Sequence, residues 1–219
     1  MTPSEVTKAV NSITAALINF GICDDQNFPA TKEANSQIQV VYNGFSDISI
    51  ALRNVCYADI YDHLSSNRQF NFKLIDGGLV QMLYLFDNKG NVIKHNLGYF
   101  PSPSFEPFQN DPDLYLDESN FYADMIQKSI LPVPVRFDFD PNPENVKDVD
   151  HPVCHLTLGQ YKNCRIPVVS PLCPMSFMNF VLRSFYNTAT SEVALNFERY
   201  AFDHTITTNE QRCLHLSIV

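Results

Sequence analysis

The fold is decided by residues 70–99, which read FNFKLIDGGLVQMLYLFDNKGNVIKHNLGY. From residue 70 to residue 74, apolar and polar side chains alternate, which is the pattern of a half-buried strand. Residues 79–86 form a nearly unbroken apolar run, and such a run predicts a central strand covered on both faces. Turn formers at 76–78 (DGG) and 88–91 (NKGN) separate the runs. The stretch therefore predicts three strands joined by short turns, an antiparallel meander.

The segment before the meander is mostly helical in its periodicity. Thr2 and Glu5 have capping-box spacing, and Pro3 suits the first helical position. Apolar residues then recur at steps of three and four until Gly21, which predicts one amphipathic helix. Residues 22–36 are polar and predict a loop, and a short strand and a second helix are predicted to follow at 37–42 and from 46 to 64. The start of that helix stays open, because Ile48 and Ile50 also alternate.

After the meander, loops alternate with short strands and helices. The predicted elements are a Pro-rich loop at 101–112, a helix at 118–130, a strand at 133–138, an acidic loop at 141–149, strands at 152–158 and 164–169, helices at 171–186 and 191–202, a capped turn at 207–210 and a strand at 214–219. This order predicts a single α+β domain over residues 1–219, with a mostly antiparallel twisted sheet flanked by helices. Residues 1–66 would be its N-terminal helical part, and residues 67–219 would hold the sheet with the C-terminal helices.

Composition narrows the class of protein. Hydrophobic residues make up 45% and charged residues 18%, as in a globular domain. The net charge of −9 argues against a general nucleic-acid coat, although it leaves room for a local phosphate site. No apolar run is long enough to span a membrane, and no leader is visible, so we expect a cytoplasmic protein.

The six cysteines form no C-x-x-C pair, so we expect free thiols. A zinc site from His151, His155, Cys164 and Cys173 is an alternative, but it lacks the usual paired spacing. We therefore expect neither a metal nor another cofactor. His63, His95 and His204 stand alone in the sequence, and we expect them to be surface or capping residues.

The strand at 152–158 carries the main candidate site. Because side chains alternate along a strand, His155 and Thr157 share one face, and the apolar Cys154, Leu156 and Leu158 share the other. An imidazole beside a hydroxyl is suited to proton transfer at a bound anion. The last segment repeats this pattern with His215 and Ser217.

Other polar residues would complete this site if the strands are neighbours. Arg136 and Asp138 share one face of the strand at 133–138, Arg165 begins the strand after His155, and His151 precedes it. We predict His151, His155 and His215 as catalytic residues. The predicted substrate-binding residues are Arg136, Asp138, Thr157, Arg165 and Ser217, with arginine binding a phosphate in bidentate fashion. The alternative is that Arg136 and Asp138 form a structural ion pair on a sheet face.

Three resemblances extend these expectations. The segments at 155–158 and 215–218 resemble the paired motifs of the two-histidine phosphoesterases, in which the imidazoles act as acid and base and the hydroxyls bind phosphate. Residues 136–186, from RFDFDP through HPVCHLTLG to the helix that ends at Tyr186, resemble an uncharacterised bacterial family, domain of unknown function 2290. The Arg-aromatic-Asp strand followed by His-Pro is also similar to the TumE-type toxins. These resemblances imply a mobile-element or antiviral-defence role with RNA or DNA as the target.

Two classes of function follow from the sequence. The first is a bacterial defence or toxin-like protein, a metal-independent nuclease or phosphodiesterase with a histidine-centred site and a protein partner from the same operon. The alternative is a non-catalytic assembly or adaptor subunit, for which the acidic charge, the loop at 101–112 and the amphipathic N-terminal helix are suited. The enzyme hypothesis requires His155, His215 and an arginine to converge, and the adaptor hypothesis does not.

Overall fold

One antiparallel sheet organises the computed structural model, which describes residues 1–46, 55–104, 133–161, 163–186 and 199–217. The described strands are β1 (Cys23–Gln26), β2 (Pro29–Ala34), β3 (Gln37–Tyr42), β4 (Phe72–Leu74), β5 (Leu79–Phe86), β6 (Val92–Phe100), β7 (Val135–Phe139), β8 (Cys154–Leu158) and β9 (Arg165–Pro167). The described helices are α1 (Pro3–Asn19), α2 (Tyr57–Ser66) and α3 (Pro174–Phe185), with a 3-10 turn at Glu210–Arg212. The predicted α+β class with an antiparallel sheet is confirmed.

The meander lies at the centre of the sheet. The strand order is β1-β4-β5-β6-β7-β8-β9. One edge of β5 is shared, because β4 pairs with its first residues and β3 pairs with its last ones, and β2 extends the sheet beyond β3. The strand β5 is buried along nearly its whole length, as its apolar run predicted. The turns at Gly77 and Gly90 have φ of 87° and 81°, a conformation that glycine adopts without strain.

The main core lies on one face of the sheet, beneath α1 and α3. The capping box of Thr2 and Glu5 starts α1, as the sequence predicted. The apolar stripe of α1, from Val6 to Leu17, then packs on the sheet and beside α3. Buried residues of this core include Val80, Met82, Leu97, Phe137, Leu156, Phe177 and Val181. This core fixes which face of each strand points inward.

The opposite face of the sheet is apolar at one end and polar at the other. The helix α2 packs there through Ile60 and Leu64 on Leu79 and Phe100. Beyond this cluster, the side chains that β6, β7 and β8 present on the same face are polar. The polar part of this face is where the predicted site residues lie.

The predicted loop at 22–36 is wrong, because it contains β1 and β2. The strand β2 has the sequence PATKEA, and its last four residues are exposed, so it lacks the alternation by which a strand is recognised. It is formed instead by pairing with β3, through a turn in which Asn35 and Ser36 have φ of 52° and 61°. Residues 1–66, expected to be helical, therefore hold three strands of the sheet as well as two helices.

Other boundaries differ from those predicted. The predicted second helix starts in residues 47–54, outside the described residues, and α2 begins only at Tyr57. The predicted helix at 118–130 and most of that at 191–202 also lie outside them, and residues 199–202 are not helical. The predicted C-terminal strand is reduced to one parallel bridge between Val168 and Leu216, and residues 218–219 are not described. In the described residues, each helix is too short or too polar to cross a membrane.

Candidate functional site

Two rows of polar side chains cross neighbouring strands on the face opposite α1 and α3, one over β7, β8 and β9 and the other over β6, β7 and β8. In the first, Arg136 of β7 is paired with Thr157 of β8, which in turn is paired with Arg165 of β9. We call these three residues the arginine row. Paired residues in a sheet point to the same face, with Cβ atoms about 5 Å apart. The row therefore places Thr157 between two arginines on one face of the sheet.

The second row lies one pleat further along the same strands. Asn96, Asp138 and His155 are register partners, and we call them the histidine row. The amide of Asn96 donates to Asp138 Oδ1 at 2.8 Å. Asp138 Oδ2 lies 3.8 Å from His155 Nε2. The pairing brings a carboxylate and an imidazole together from segments that are 17 residues apart in the chain.

Arg136 has unused hydrogen-bonding capacity. Its Nε is buried and has no hydrogen-bond partner in the described part of the chain. Asp138, two residues away on the same face, does not form an ion pair with it, so the structural ion pair considered above is absent for these two residues. The register partner of Arg136 on β6 is Gly98, and the ring of Phe100 lies over that glycine. The Nε–H of Arg136 is thus available to an acceptor on a ligand.

The tautomer of His155 follows from its contacts. Its Nδ1 lies 2.8 Å from the carbonyl oxygen of Pro152, which can only accept, so Nδ1 carries the proton. In the neutral ring, Nε2 is then the free base, and it faces Asp138. Burial lowers the pKa of His155, although the Pro152 contact and Asp138 oppose that shift. A proton taken up at Nε2 would be stabilised by the Asp138 carboxylate.

His151 lies next to the histidine row and is more exposed than His155. Its ring meets that of His155 edge to face, with centroids 5.0 Å apart. It is half-buried, and the backbone of Lys147 holds it through reciprocal hydrogen bonds of 2.7 and 3.0 Å. Burial lowers the pKa of His151, and the positive charge of Arg165 adds to this effect. We call the arginine row, the histidine row and His151 together the polar site.

His215 and Ser217 lie outside the two rows of the polar site, with His215 on the same face of the sheet. Leu216 bridges to Val168 and packs on the core. Alternation therefore places His215 on the face opposite the core, which is the face of the polar site. Counting strands from β8 puts it beyond Pro167, about 10 Å from His155. Ser217 lines a different cleft, of about 190 Å³, with Ser170 and Leu172. The structure thus brings six of the eight predicted site residues together.

The structure also places residues that the sequence analysis missed or misplaced. Asn96, not among the predicted site residues, belongs to the histidine row. The expectation that His95 is a surface or capping residue is wrong, since it is fully buried on the core face. In β6, His95 lies two residues before Leu97, so both side chains point to the core face. From this alternation the burial of His95 could have been predicted. His63 and His204 are exposed, as expected.

The donor set does not point to a metal. Among the described residues, there is no group of three or more His, Cys, Asp or Glu side chains placed to hold an ion. The zinc alternative would need Cys173, but its Sγ caps α3 by accepting from the Ser176 N–H. The polar site combines two arginines, a hydroxyl and two imidazoles with one carboxylate and one amide.

The fold and the site define an α+β protein with an open antiparallel sheet and a polar site on one face of it. A family model described as an uncharacterised conserved protein (DUF2290) matches residues 22–218, so the chain belongs to that family. The match covers every strand of the sheet and all residues of the polar site. Comparisons with curated proteins and with solved structures found no match. The resemblances to two-histidine phosphoesterases and TumE-type toxins stay predictions.

Proposed function

We propose that the polar site binds a phosphodiester of RNA and transfers protons during its cleavage. The observation that carries the proposal is the buried Nε of Arg136, which has no partner among the described residues, in a row with Thr157 and Arg165. A buried donor left without a partner costs about 1–3 kcal/mol, so such a group indicates a missing acceptor. A phosphate supplies several acceptor oxygens and a negative charge.

The spacing of the arginine row suits one phosphate. Guanidinium groups bind phosphate oxygens in pairs, and a hydroxyl between them can donate a further hydrogen bond. Thr157 is only 8% exposed, so its bond to an oxygen would form away from bulk water, where electrostatic interactions are stronger. The acidic net charge of −9 agrees with a local contact to one or two phosphates rather than a long basic surface.

The histidine row and His151 supply the proton chemistry. His151, whose ring meets that of His155, takes the place expected for His215, which lies two strands from His155. His151 and His155 are favoured as neutral bases because burial lowers both pKa values. The imidazole pair would take the proton of an attacking ribose 2′-hydroxyl as its oxygen bonds to phosphorus. The bond to the 5′-oxygen then breaks, and the pair returns a proton to that oxygen. The products are a 2′,3′-cyclic phosphate and a 5′-hydroxyl, and Asp138 stabilises the transient imidazolium.

RNA is the favoured substrate because it carries its own nucleophile. This reaction needs an acid and a base, and general acid–base catalysis contributes about 10²- to 10⁴-fold. A bacterial defence or toxin-like role, with a partner from the same operon, stays a prediction. So does the alternative of a non-catalytic adaptor subunit.

The test is cleavage of an end-labelled RNA oligonucleotide resolved on a gel. We expect cleavage by the wild type in EDTA, with cyclic-phosphate ends, and no cleavage where a 2′-deoxy nucleotide replaces the cleaved one. His151→Ala and Asp138→Asn are expected to lower the rate by about 100-fold or more. His204→Ala, which changes an exposed histidine outside the polar site, is the matched control and should leave the rate unchanged.

Two results would overturn the proposal. One is a wild-type protein that leaves RNA intact under all these conditions. The other is a His151→Ala protein, folded by circular dichroism, that cleaves as fast as the wild type.

A further inference from the structure

The hairpin between β8 and β9 carries an exposed tyrosine beside the arginine row. Tyr161 is 71% exposed, more than any other described aromatic side chain. It lies in the turn between Thr157 and Arg165, the two members of the row contributed by this hairpin. Tyr161 follows Thr157 by four residues, so at about 3.3 Å per residue their Cα atoms are at most about 13 Å apart. An aromatic ring is thus within reach of nucleotides that flank the predicted phosphate contact.

The ring of Tyr161 lies beside the backbone of Gly159. A Cβ added at Gly159 would meet its Cδ2 and Cε2 atoms at 3.3 and 3.4 Å. Gly159 has a φ of 61°. Its N–H donates to the carbonyl oxygen of Pro134 at 2.7 Å, and this bond links the turn to the residue just before β7. The turn is closed by a second bond, from the Cys164 N–H to the Tyr161 carbonyl at 3.3 Å. The ring therefore has a packed side and a side open to solvent.

We infer that the polar site takes single-stranded nucleic acid, with one base stacked on Tyr161 while the adjacent phosphate contacts the arginine row. This inference rests on the proposed function and adds the form of the substrate. A base in a duplex is already stacked on its neighbours and cannot cover the tyrosine ring. A base in a single strand can, and stacking on aromatic side chains is the main sequence-tolerant way in which proteins bind such strands.

The stacking contact also compensates for the scarcity of basic residues. Each stacked base contributes enough to change affinity about tenfold or more, without needing another positive charge. A chain with a net charge of −9 can then hold a short strand through two arginines and one ring. The contact is independent of base identity, because every base has a π face.

The experiment is fluorescence anisotropy with labelled 10-nucleotide DNA strands, which lack the 2′-hydroxyl and stay intact. Three probes are compared: a single strand, the same strand with abasic sites, and the duplex. We expect the wild type to bind the single strand about tenfold or more tightly than the other two. Tyr161→Ala should abolish that difference, and Tyr161→Phe should keep it because the ring remains. Tyr200→Ala, which removes another exposed tyrosine, is the control and should behave as the wild type.

Salt dependence separates the two contacts. Arg165→Gln should reduce the slope of log affinity against log salt by about 0.7, whereas Tyr161→Ala should leave the slope unchanged. Equal wild-type binding of normal and abasic strands would overturn the stacking inference and leave the phosphate site standing. The absence of binding to all three probes would overturn both. Equal affinity of Tyr161→Ala and the wild type for the single strand would also refute the role of the ring.

Discussion

Acid should destabilise this protein through His95, an imidazole buried in the core. The ring is 0% exposed and lies between Tyr84 and Phe139, with ring centroids 5.6 and 5.7 Å away. Its Nε2 accepts from the Leu172 N–H at 3.1 Å, so the neutral ring carries its proton on Nδ1. That Nδ1 is buried without a partner among the described residues. The site therefore suits a neutral imidazole, because a proton on Nε2 would face the Leu172 N–H, a second donor.

The sign and size of the effect follow from the pKa. Burial lowers the pKa of His95 from 6.5 to about 4, against the opposing charge of Asp138. The folded state then binds fewer protons than the unfolded state at any pH near or below 6.5. The contribution of His95 to stability is present above pH 6.5 and is lost as the pH falls toward 4. At pH 4.0 the loss is about 3 kcal/mol, since a difference of one in pKa corresponds to about 1.4 kcal/mol.

The assay is urea unfolding of the wild type and of His95→Leu at pH 7.5 and pH 4.0. At pH 7.5 the variant should be less stable by about 1–3 kcal/mol, because the Leu172 N–H loses its acceptor. At pH 4.0 the difference should shift by about 3 kcal/mol in favour of the variant, which has no imidazole to protonate. Phe139→Leu is the control, since it disturbs the same packing but keeps His95. The difference in free energy of unfolding between the wild type and Phe139→Leu should be similar at both pH values.

A parallel loss of stability in the wild type and in His95→Leu between pH 7.5 and pH 4.0 would refute this reasoning. Such a result would mean that the acid sensitivity arises from other groups, and that the buried ring accepts a proton without cost.

Three further substitutions test the packing and the buried polar contacts by urea unfolding. Gly98→Ala places a Cβ 2.5 Å from the Phe100 ring and should lower the free energy of unfolding by about 1–3 kcal/mol. Adding Phe100→Leu should recover most of this loss, and unchanged stability of Gly98→Ala would contradict the clash. Tyr186→Phe removes the hydroxyl that donates to both oxygens of Asp76 at 2.8 and 2.9 Å and should cost about 1–3 kcal/mol, whereas a neutral effect would show the contact to be dispensable. Thr2→Ala should cost about 1 kcal/mol through the lost helix cap, with Thr2→Ser nearly neutral, and equal losses in both would argue against capping.

Local patterns predicted the faces of the strands, because alternation is a property of the strand itself. The sequence correctly placed His155 and Thr157 on the face opposite Leu156, and the structure packs Leu156 in the core. The central position of β5 also followed from its apolar run. These features depend on burial, which a single segment records in its own residues.

Adjacency between strands could not be predicted in the same way. Asn96 and Asp138 are 42 residues apart, and only the pairing of β6 with β7 makes them neighbours. The separation of His215 from His155 likewise depends on β9, which lies between β8 and the segment of His215. Short motifs of identical pattern therefore gave no information on whether the two histidines meet.

The polar edge strand was missed for a related reason. Four of the six residues of β2 are exposed, so its sequence carries no record of a buried face. Its position is set by the ladder to β3 and by the turn at Asn35 and Ser36. Backbone pairing of this kind is nearly independent of side-chain polarity, and hydrophobic patterns do not report it.

Binding of phosphate by the arginine row is the central claim, and the Nε–H signals of the arginines test it most directly. The measurement is a ¹⁵N–¹H NMR titration of arginine-labelled protein with a short DNA strand. We expect saturable shifts of the Arg136 and Arg165 Nε–H signals, and we expect the Arg165 shift to be lost in Arg136→Gln. The signal of Arg68, which is paired with Asp25 away from the row, should not move. Unmoved Arg136 and Arg165 signals at saturating DNA, or equal shifts of all three arginines, would show that the arginine row does not bind phosphate.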